Sequence, residues 1–337
     1  MREYEAYVRA LRAPLGVQHG LREIVRSATL AANAYNAQAW KFRLAARSIE
    51  LLPDRTRRTP VVDPDDHHLF TSLGCALENL TLSAAALGRP AEVRFDHERG
   101  GKLLVELRHG EERSSALFSA IAHRQSTRTP FDGRALDATD LAQLATAARV
   151  PGVELVLITA KAAVEQVLEL ILAANGVQMQ DAAFLRELKH WTRFNPRAAL
   201  ASGDGLFTAA TGHRTAPTWA GRWLFDLSFR VKSETAKHMR QVRSSAGLAI
   251  FASDANDPEH WVQAGRSCQR FALQATALGI RHAFVNQPTE VPTVRAALAS
   301  LLGLGERRPD LIMRFGYGRQ LPFSARRPLG NVVLDSA

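Results

Sequence analysis

Apolar residues recur with a helical spacing over several long segments of the chain, and short alternating or continuous apolar runs lie between them. The helical spacing predicts helices over 1–30, 67–88, 112–122, 138–148, 161–189, 258–278 and 290–302. The short runs predict strands at 42–52, 91–97, 102–108, 153–158, 248–251, 280–285 and 311–315. Because helices and strands mix along the whole chain, the pattern favours an α+β or α/β class.

Two of the predicted helices resemble each other when the chain is shifted by 191 residues. Gly74 then aligns with Gly265, and both helices close on Ala-Leu-Gly, at 86–88 and at 277–279. Glycine is a favourable residue just beyond a helix end, and a predicted strand follows each of the two helices. Two interpretations stay open. The likeness is a coincidence between two Ala/Leu-rich helices, or it marks a duplication in which one chain folds as a fused pseudo-dimer, with a boundary near 108–125.

Length and composition place the chain among ordinary globular proteins. It has 337 residues, a mass of 37.0 kDa, 46% apolar residues and 23% charged residues. At roughly 150 residues per domain, this length corresponds to about two domain-sized units. The sequence contains no run of about 18 uncharged apolar residues, its first residues do not resemble a secretory signal, and its two cysteines are too few for a disulfide framework. We therefore expect a reduced, cytoplasmic protein.

Basic charge is concentrated in one segment. The chain has 43 Lys and Arg against 33 Asp and Glu, and 190–243 holds nine of the former and three of the latter. This segment is predicted to be irregular apart from a short amphipathic helix at 219–230, and it contains three of the five tryptophans. It could be an insertion that packs its aromatic residues on the body, a lid whose cationic face attracts an anionic substrate, or a membrane-surface helix.

Arg124, Ser126 and Arg128 form a candidate anion site. Alternate residues of an extended segment point to the same side, so the two guanidinium groups and the hydroxyl would project together. Arginine presents paired donors to phosphate oxygens, which makes this set a candidate phosphate clamp. The alternative is a solvated basic turn, because a similar run occurs at 55–60.

Two further motifs carry polar groups beside predicted strands. Asn36 and Gln38 precede the first strand and offer amide donors and acceptors, with Trp40 as an apolar anchor. Near the other end of the chain, a strand ends in Phe-Gly-Tyr-Gly at 315–318, and the pair Arg326 and Arg327 follows. Taken separately, the first motif is a polar turn, and the arginine pair of the second either neutralises a phosphate or is a charged tail.

Taken together and in this order, the three motifs resemble those of the nitroreductase superfamily of FMN-dependent oxidoreductases. The similar segments read RQSTR at 124–128, NAYNAQAW at 33–40 and FGYG to ARRP at 315–328. The Asn-x-Gln-x-Trp element precedes the Arg-Ser-Arg element here, an order that resembles the fused, Acg-like branch of the family. The resemblance implies an α+β, nitroreductase-like fold of two tandem halves, 1–110 and 111–337, with a helical lid inserted at about 190–243.

The resemblance also implies roles for particular residues. The FMN phosphate and ribityl chain would be held by Arg124, Ser126 and Arg128, and Arg326 and Arg327 would reach the same phosphate. Asn36 and Gln38 would contact the other side of the flavin, and Asn286 and Gln287 would border its ring. The sequence departs from the family pattern at Ala39, where the family has proline, and at His123, where it has a second arginine.

The implied function is an FMN-binding oxidoreductase that passes electrons from NAD(P)H or another donor to a nitroaromatic, a quinone or a similar small acceptor. The alternative is an FMN-sequestering protein whose lid closes the flavin to NAD(P)H. Neither a Rossmann dinucleotide motif nor a P-loop occurs in the sequence, and its basic residues mark no known nucleic-acid motif. We expect no metal, since the acidic residues before His67 and His68 are explained by a helix N-terminus, and we expect no nucleic-acid or membrane partner. A fused pseudo-dimer is expected to be a monomer or a weak homodimer.

Overall fold

A computed structural model describes residues 1–14, 20–98 and 100–334 of the chain. The helices in these ranges are α1 (Arg2–Leu11), α2 (Leu21–Thr29), α3 (His67–Ala86), α4 (Ala116–Ala120), α5 (Ala138–Ala147), α6 (Lys161–Gln180), α7 (Ala182–His190), α8 (Pro196–Ser202), α9 (Thr218–Ser228), α10 (Val231–Arg243), α11 (Pro258–Ala277), α12 (Gln287–Glu290) and α13 (Pro292–Leu301). The strands are β1 (Trp40–Ala45), β2 (Ser48–Pro53), β3 (Ala91–Asp96), β4 (Lys102–Leu107), β5 (Val153–Ile158), β6 (Thr192–Arg193), β7 (Leu206–Phe207), β8 (Gly247–Ser253), β9 (Arg281–Phe284), β10 (Arg308–Gly316) and β11 (Val333–Leu334).

The strands form two main sheets, and the α+β class is confirmed. The first sheet has the order β11-β1-β2-β4-β3, and the second has the order β5-β8-β10-β9. Every pairing in these two sheets is antiparallel except that of β1 with the C-terminal β11. The last strand of the chain therefore lies in the sheet that the first strands build.

The two sheets are covered differently, and their sequences reflect this. Strands β8 and β10 are buried at every position, because helices α11 and α5 pack on one face of the second sheet and α6, α10 and α13 on the other. A sheet that is covered on both faces has continuous apolar strands. In the first sheet, β2 alternates between buried and partly exposed positions, because α2 and α3 pack on one of its faces.

Helices α3 and α11 cross at a distance that only glycine permits. A Cβ atom on Gly74 would lie 2.0 Å from the carbonyl oxygen of Val262, and one on Gly265 would lie 2.0 Å from that of Thr71. Thr71 and Val262 are 191 residues apart, as Gly74 and Gly265 are. The contact is therefore reciprocal, and it relates the two helices by the offset that the sequence similarity predicts.

The ends of these two helices repeat the same correspondence. Gly88 and Gly279 have positive φ angles of 66° and 73° and lie beyond the last turns of α3 and α11. The next residue donates its backbone N–H to a carbonyl inside the last turn in both cases, from Arg89 to Ala84 and from Ile280 to Ala275, each at 2.8 Å. The predicted helix ends at both glycines are confirmed, because glycine adopts the left-handed conformation without steric cost.

Several predicted elements are divided in the structure. The predicted helix over 1–30 is wrong, since α1 and α2 are separate helices and residues 15–19 between them lie outside the described ranges. The strand predicted at 42–52 is a hairpin of β1 and β2. The helix predicted over 161–189 ends at Asp181, whose extended backbone and side chain cap α7. The helix predicted at 290–302 is α13, which begins at Pro292 and is separate from α12, because proline cannot continue a preceding helix.

The segment 190–243 is more ordered than predicted. It contains α8, α9 and α10 and the short parallel pair of β6 and β7. The short helix predicted at 219–230 is confirmed as α9. No helix in the described part of the chain combines the length and the apolar composition that crossing a membrane requires.

We predict that Gly74→Ala and Gly265→Ala each lower the free energy of unfolding by about 3 kcal/mol or more, because the added methyl group meets backbone atoms that cannot move aside. Urea denaturation followed by circular dichroism measures the change. Gly176→Ala is the matched control, since Gly176 lies inside α6 with no atom within 4 Å of the added Cβ. That control should stabilise the protein by about 0.5–1 kcal/mol. Equal stability of the Gly74 and Gly176 variants would contradict the close crossing.

Candidate functional site

The loop that leads into β1 is strained. Tyr35, Asn36 and Gln38 have φ angles of 48°, 55° and 55°, which non-glycine residues adopt only at an energetic cost. The Asn33 carboxamide oxygen accepts the backbone N–H of Gln38 at 2.9 Å and holds the loop in this conformation. Strain of this kind is retained where the surrounding structure fixes it, and it often marks functional loops.

Gln38 connects this loop to two distant segments. Its amide nitrogen donates to the carbonyl oxygen of Gly203 at 2.9 Å, and its amide oxygen accepts the backbone N–H of Arg327 at 2.9 Å. Arg327 in turn donates to the Gln38 carbonyl at 3.2 Å and contacts Asp54 at 3.4 Å. Neither Gln38 nor Arg327 lies in the wall of the two cavities described next, so both anchor the loop from behind.

Four arginines converge on a small cavity of about 50 Å³. They are Arg12, Arg124, Arg128 and Arg326. None of the described residues in the cavity wall is an aspartate or a glutamate, and the wall also includes Asn36 and Ser126. Cations so close together with no carboxylate among them are chemically suited to an anion.

Backbone carbonyl oxygens at the C-terminus of α2 accept hydrogen bonds from two of these arginines and partly stabilise their buried charges. Arg326 donates from Nε to the carbonyl of Thr29 at 2.6 Å, and Arg124 donates from Nη2 to that of Leu30 at 2.9 Å. The negative end of a helix dipole favours cations at this position. Arg326 also donates to the Asn36 side-chain oxygen at 2.9 Å, which joins the cluster to the strained loop.

The arginine cluster nevertheless lacks negative charge. Burial and the neighbouring Arg124 charge lower the pKa of Arg326 to about 9, and burial lowers the pKa of Arg124 to about 10. Burial and the charges of Arg326 and Arg124 lower the pKa of Arg12 well below its usual value. The Nε atoms of Arg12 and Arg124 are buried and have no hydrogen-bond partner among the described residues. These donors and charges are suited to a phosphate group.

A much larger cavity of about 540 Å³ adjoins the arginine cluster. Ala32, Asn33, Arg128 and Leu206 belong to the walls of both cavities. On the side of the segment 190–243 the wall mixes aromatic residues, Phe194, Phe225 and Phe229, with polar and charged residues such as Lys237 and His238. One ligand could therefore place an anionic group in the small cavity and a large flat group in the adjoining one.

Three polar side chains on the wall of the large cavity have buried atoms with no partner. The Gln287 amide nitrogen lies 3.2 Å from Nε2 of His238 and donates to it, which places the imidazole proton on Nδ1. That N–H, the Gln287 amide oxygen and the Asn175 amide nitrogen have no partner in the described structure. Burial, with the charges of Lys237 and Arg314, lowers the pKa of His238 to about 3, so the imidazole is neutral. Together they offer two donors and one acceptor to a ligand.

His68 and Glu290 form an ionisable pair in the same wall. His68 Nε2 lies 3.2 Å from Glu290 Oε1, and Gln178 donates to the other Glu290 oxygen at 2.6 Å. Burial disfavours the charged imidazole, but the hydrogen bond to Glu290 and the charge of Asp63 outweigh it, and the pKa of His68 is raised. The raised pKa makes His68 a candidate proton donor on the wall of the cavity.

The structure brings most of the predicted site residues together. Arg124, Ser126 and Arg128 lie on one extended segment that joins β9 by a bridge between Ser126 and His282, and all three reach the small cavity. Arg326 and Asn36 reach the same cavity, while Asn286 and Gln287 line the large one. The Asn286 oxygen accepts the N–H of Ile312 at 2.9 Å, so this side chain supports the wall.

Sequence reasoning missed Arg12, His68, His238 and Glu290. Arg12 follows an amphipathic helix whose other arginines are exposed, and no local pattern distinguishes it from them. His68 follows acidic residues that are explained by a helix N-terminus. Asp63 does cap that helix, because it accepts the N–H groups of His68 and Leu69 at 2.8 and 3.0 Å. Within 190–243, Glu234 and His238 are four residues apart, so they lie on one face of a helix. This spacing is the sequence signal for the part of the cavity wall that the segment 190–243 forms.

No protein-family model matches the chain, but individual proteins do. The chain is 25% identical over 326 residues to the Mycobacterium tuberculosis protein named "Putative NAD(P)H nitroreductase Rv3131", covering 93% of this chain and 90% of that protein. It is 22% identical over the same length to "Putative NAD(P)H nitroreductase acg" of that organism, covering 93% and 94%. These relatives confirm the resemblance to the nitroreductase superfamily that the motifs indicate.

Solved structures are similar at a lower level. A nitroreductase with bound FMN from Bacteroides fragilis is 17% identical and covers 64% of this chain and 96% of its own, with a TM-score of 0.40. The FMN-dependent nitroreductase NfnB from Mycobacterium smegmatis, in complex with NADPH, is 14% identical and covers 66% and 98%, with a TM-score of 0.44.

We predict that Glu290→Gln lowers the pKa of His68, because the neutral amide no longer stabilises the imidazolium. An NMR titration of the His68 ring measures this shift, with Glu165→Gln, an exposed partner of Arg243, as the control. A histidine whose pKa is raised by folding stabilises the protein below the unfolded pKa, about 6.5, and loses that contribution as the pH rises through the folded value. The stability difference between wild type and Glu290→Gln should therefore be larger at about pH 6 than at pH 8. An unchanged His68 pKa would contradict the pairing.

Proposed function

We propose that this chain, which is related over nearly its whole length to mycobacterial proteins named as NAD(P)H nitroreductases, is an FMN-binding oxidoreductase of nitroreductase type. The observation that carries the proposal is the junction of the two cavities. A small cationic cavity, with no carboxylate among the described residues of its wall, adjoins a cavity of about 540 Å³ whose wall includes several phenylalanines. FMN combines a dianionic phosphate with a large flat ring and matches both parts.

Arg124, Arg128, Arg326 and Arg12 would hold the phosphate, with Ser126 beside them. The partnerless Nε atoms of Arg12 and Arg124 support this assignment, because a phosphate would accept their hydrogen bonds. Binding of the dianion would also relieve the mutual repulsion that lowers the pKa of Arg12. Gln38 and Arg327 would act indirectly, by fixing the strained loop on which Asn36 lies.

The ring would lie in the large cavity. The Nδ1–H of His238, the Asn175 amide and the Gln287 amide oxygen would meet the polar edge of a flavin, which carries both donors and acceptors. Bound FMN would supply the redox chemistry by accepting a hydride and returning electrons to an acceptor. The protein would supply binding and orientation, and His68 would supply a proton on the cavity wall.

The two halves proposed for the chain are 1–110 and 111–337. The reciprocal crossing of α3 and α11, and the matching ends of the two helices, support an origin as two related units. In this arrangement the loop that carries Asn36 comes from the first half, and the Arg124 to Arg128 segment comes from the second. Both halves would contribute to one FMN site within a single polypeptide, which favours a monomer.

The donor and acceptor are proposed from the relatives and from the cavity. The names of the relatives point to NAD(P)H as the donor. The aromatic wall formed by Phe194, Phe225 and Phe229 would suit a planar acceptor such as a nitroaromatic or a quinone.

A second candidate function follows from the position of the segment 190–243. Phe225 and Phe229 stack with ring centroids 4.5 Å apart on the wall of the large cavity. If this lid stays closed over the flavin, NAD(P)H cannot reach it, and the protein would bind and sequester FMN without turnover. The lid is therefore the feature that separates the two candidates.

Anaerobic reduction of the purified yellow protein tests the proposal. We expect the released flavin to be FMN, and we expect NADPH or NADH to bleach the flavin absorbance of the bound form. Bleaching by dithionite alone would contradict the oxidoreductase proposal. In that case Phe225→Ala/Phe229→Ala should restore bleaching by NAD(P)H under the sequestering alternative.

Leu227→Ser is the matched control for the lid variant, because Leu227 lies on α9 but is exposed. It should react with NAD(P)H as the wild type does. A purified protein that carries no flavin and binds no added FMN would contradict both candidate functions.

A further inference from the structure

Helix α9 exposes a row of large apolar side chains. Trp219, Trp223 and Leu227 are spaced four residues apart and are 77%, 62% and 48% exposed, and Val231 follows at the start of α10. Nine large apolar side chains are exposed among the described residues, and five of them lie within 219–231. Isolated exposed apolar residues are ordinary, but a continuous row of this kind marks an interaction surface.

The opposite side of α9 packs against the body of the protein. A Cβ atom on Gly221 would lie 2.4 Å from the Phe194 ring, and Phe225 and Phe229 line the large cavity. The helix therefore cannot turn its tryptophans inward without giving up these contacts. Its aromatic residues are divided between two faces, and the outward face has no partner in the described structure.

The charges around this outward face are predominantly positive. Arg222, Arg230 and Lys232 are exposed and lie beside the row in the sequence. The acidic residues close by are engaged, since Asp226 pairs with Lys189 at 2.5 Å and the buried Glu234 pairs with Lys237. The surface thus combines indole rings, aliphatic groups and uncompensated cations.

We propose that the outward face of α9, defined by Trp219, Trp223 and Leu227, docks on an anionic phospholipid surface. Tryptophan is favoured at the boundary between lipid headgroups and acyl chains, where its ring is apolar and its N–H is hydrated. An amphipathic helix with aromatic residues on one side and arginines beside them binds in this boundary, and each cation adds attraction to anionic headgroups.

The same charges disfavour the other obvious occupant, a second copy of the chain. Two copies meeting through this face would bring their arginines together, and like charges at an interface are unfavourable. A lipid surface supplies the opposite charge over the whole row. The proposal does not depend on FMN binding, because the outward face is separate from the cavity walls.

Vesicle co-sedimentation of the full chain tests the proposal. We expect binding at low salt to vesicles of phosphatidylcholine containing phosphatidylglycerol, no binding to phosphatidylcholine alone, and weaker binding at high salt. Tryptophan emission should shift to shorter wavelength on binding, because Trp219 and Trp223 leave water. Failure of the wild type to bind anionic vesicles at low salt, or equal binding to neutral vesicles, would overturn the proposal.

Paired variants separate the aromatic contribution from the charge contribution. Trp219→Ser/Trp223→Ser should weaken binding by about tenfold or more, because both indole rings are removed from the interface. Arg222→Gln/Lys232→Gln should weaken it by about fivefold for each cation removed. The matched controls are Val177→Ser/Leu301→Ser and Arg2→Gln/Arg9→Gln, which change exposed apolar or basic residues elsewhere and should bind as the wild type does.

Light scattering of the same proteins tests the competing occupant. We expect the wild type and Trp219→Ser/Trp223→Ser to have the same mass in solution. A wild-type dimer that this double variant dissociates would assign the face to a second copy of the chain and overturn the lipid proposal. Circular dichroism of the double variant should match the wild type, since both tryptophans are exposed.

Discussion

The close crossing of α3 and α11 is the constraint on which the rest of the structure depends. At Gly74 and Gly265 the two backbones approach so closely that no side chain fits between them. This approach joins the core of the first sheet to α11, since Trp261 and Val262 pack into that core. It also fixes the position of α3, whose first turns carry His68 into the wall of the large cavity. The site therefore depends on a contact between two helices that the sequence similarity relates to each other.

The second feature that shapes the candidate site is the arginine cluster, whose cavity wall includes no carboxylate among the described residues. Burying a charge is unfavourable unless it is paired, and in the described structure Arg12, Arg124 and Arg326 donate hydrogen bonds to backbone carbonyl oxygens and to the side chain of Asn36 rather than to carboxylates. Burial is the main cause that lowers the pKa values of these three arginines, and the charges of neighbouring arginines lower them further. We propose that an anionic ligand completes the cluster. The adjoining large cavity would then favour anions that carry a large flat group.

The sequence predicts the long helices and part of the candidate site, and it does so for different physical reasons. Helices α3 and α11 are each 20 residues long, whereas α8 has 7 residues and α10 has 13 residues that are mostly polar. Arg124 and Arg128 could be placed on one face because an extended segment alternates strictly. Arg12 could not, because its burial depends on tertiary packing against the Arg124 segment. Whether these residues bind a cofactor remains a prediction.

The most direct test of the central claim is the affinity for FMN and for riboflavin, which lacks the phosphate, measured by flavin fluorescence. The wild type should prefer FMN strongly. Arg124→Ala/Arg128→Ala should bind FMN at least about 100-fold more weakly and lose that preference, because two charged hydrogen-bonding groups are removed from the phosphate. Arg113→Ala/Arg134→Ala, which removes two exposed arginines, should behave as the wild type does. A double variant of the cluster that still prefers FMN over riboflavin would contradict the account.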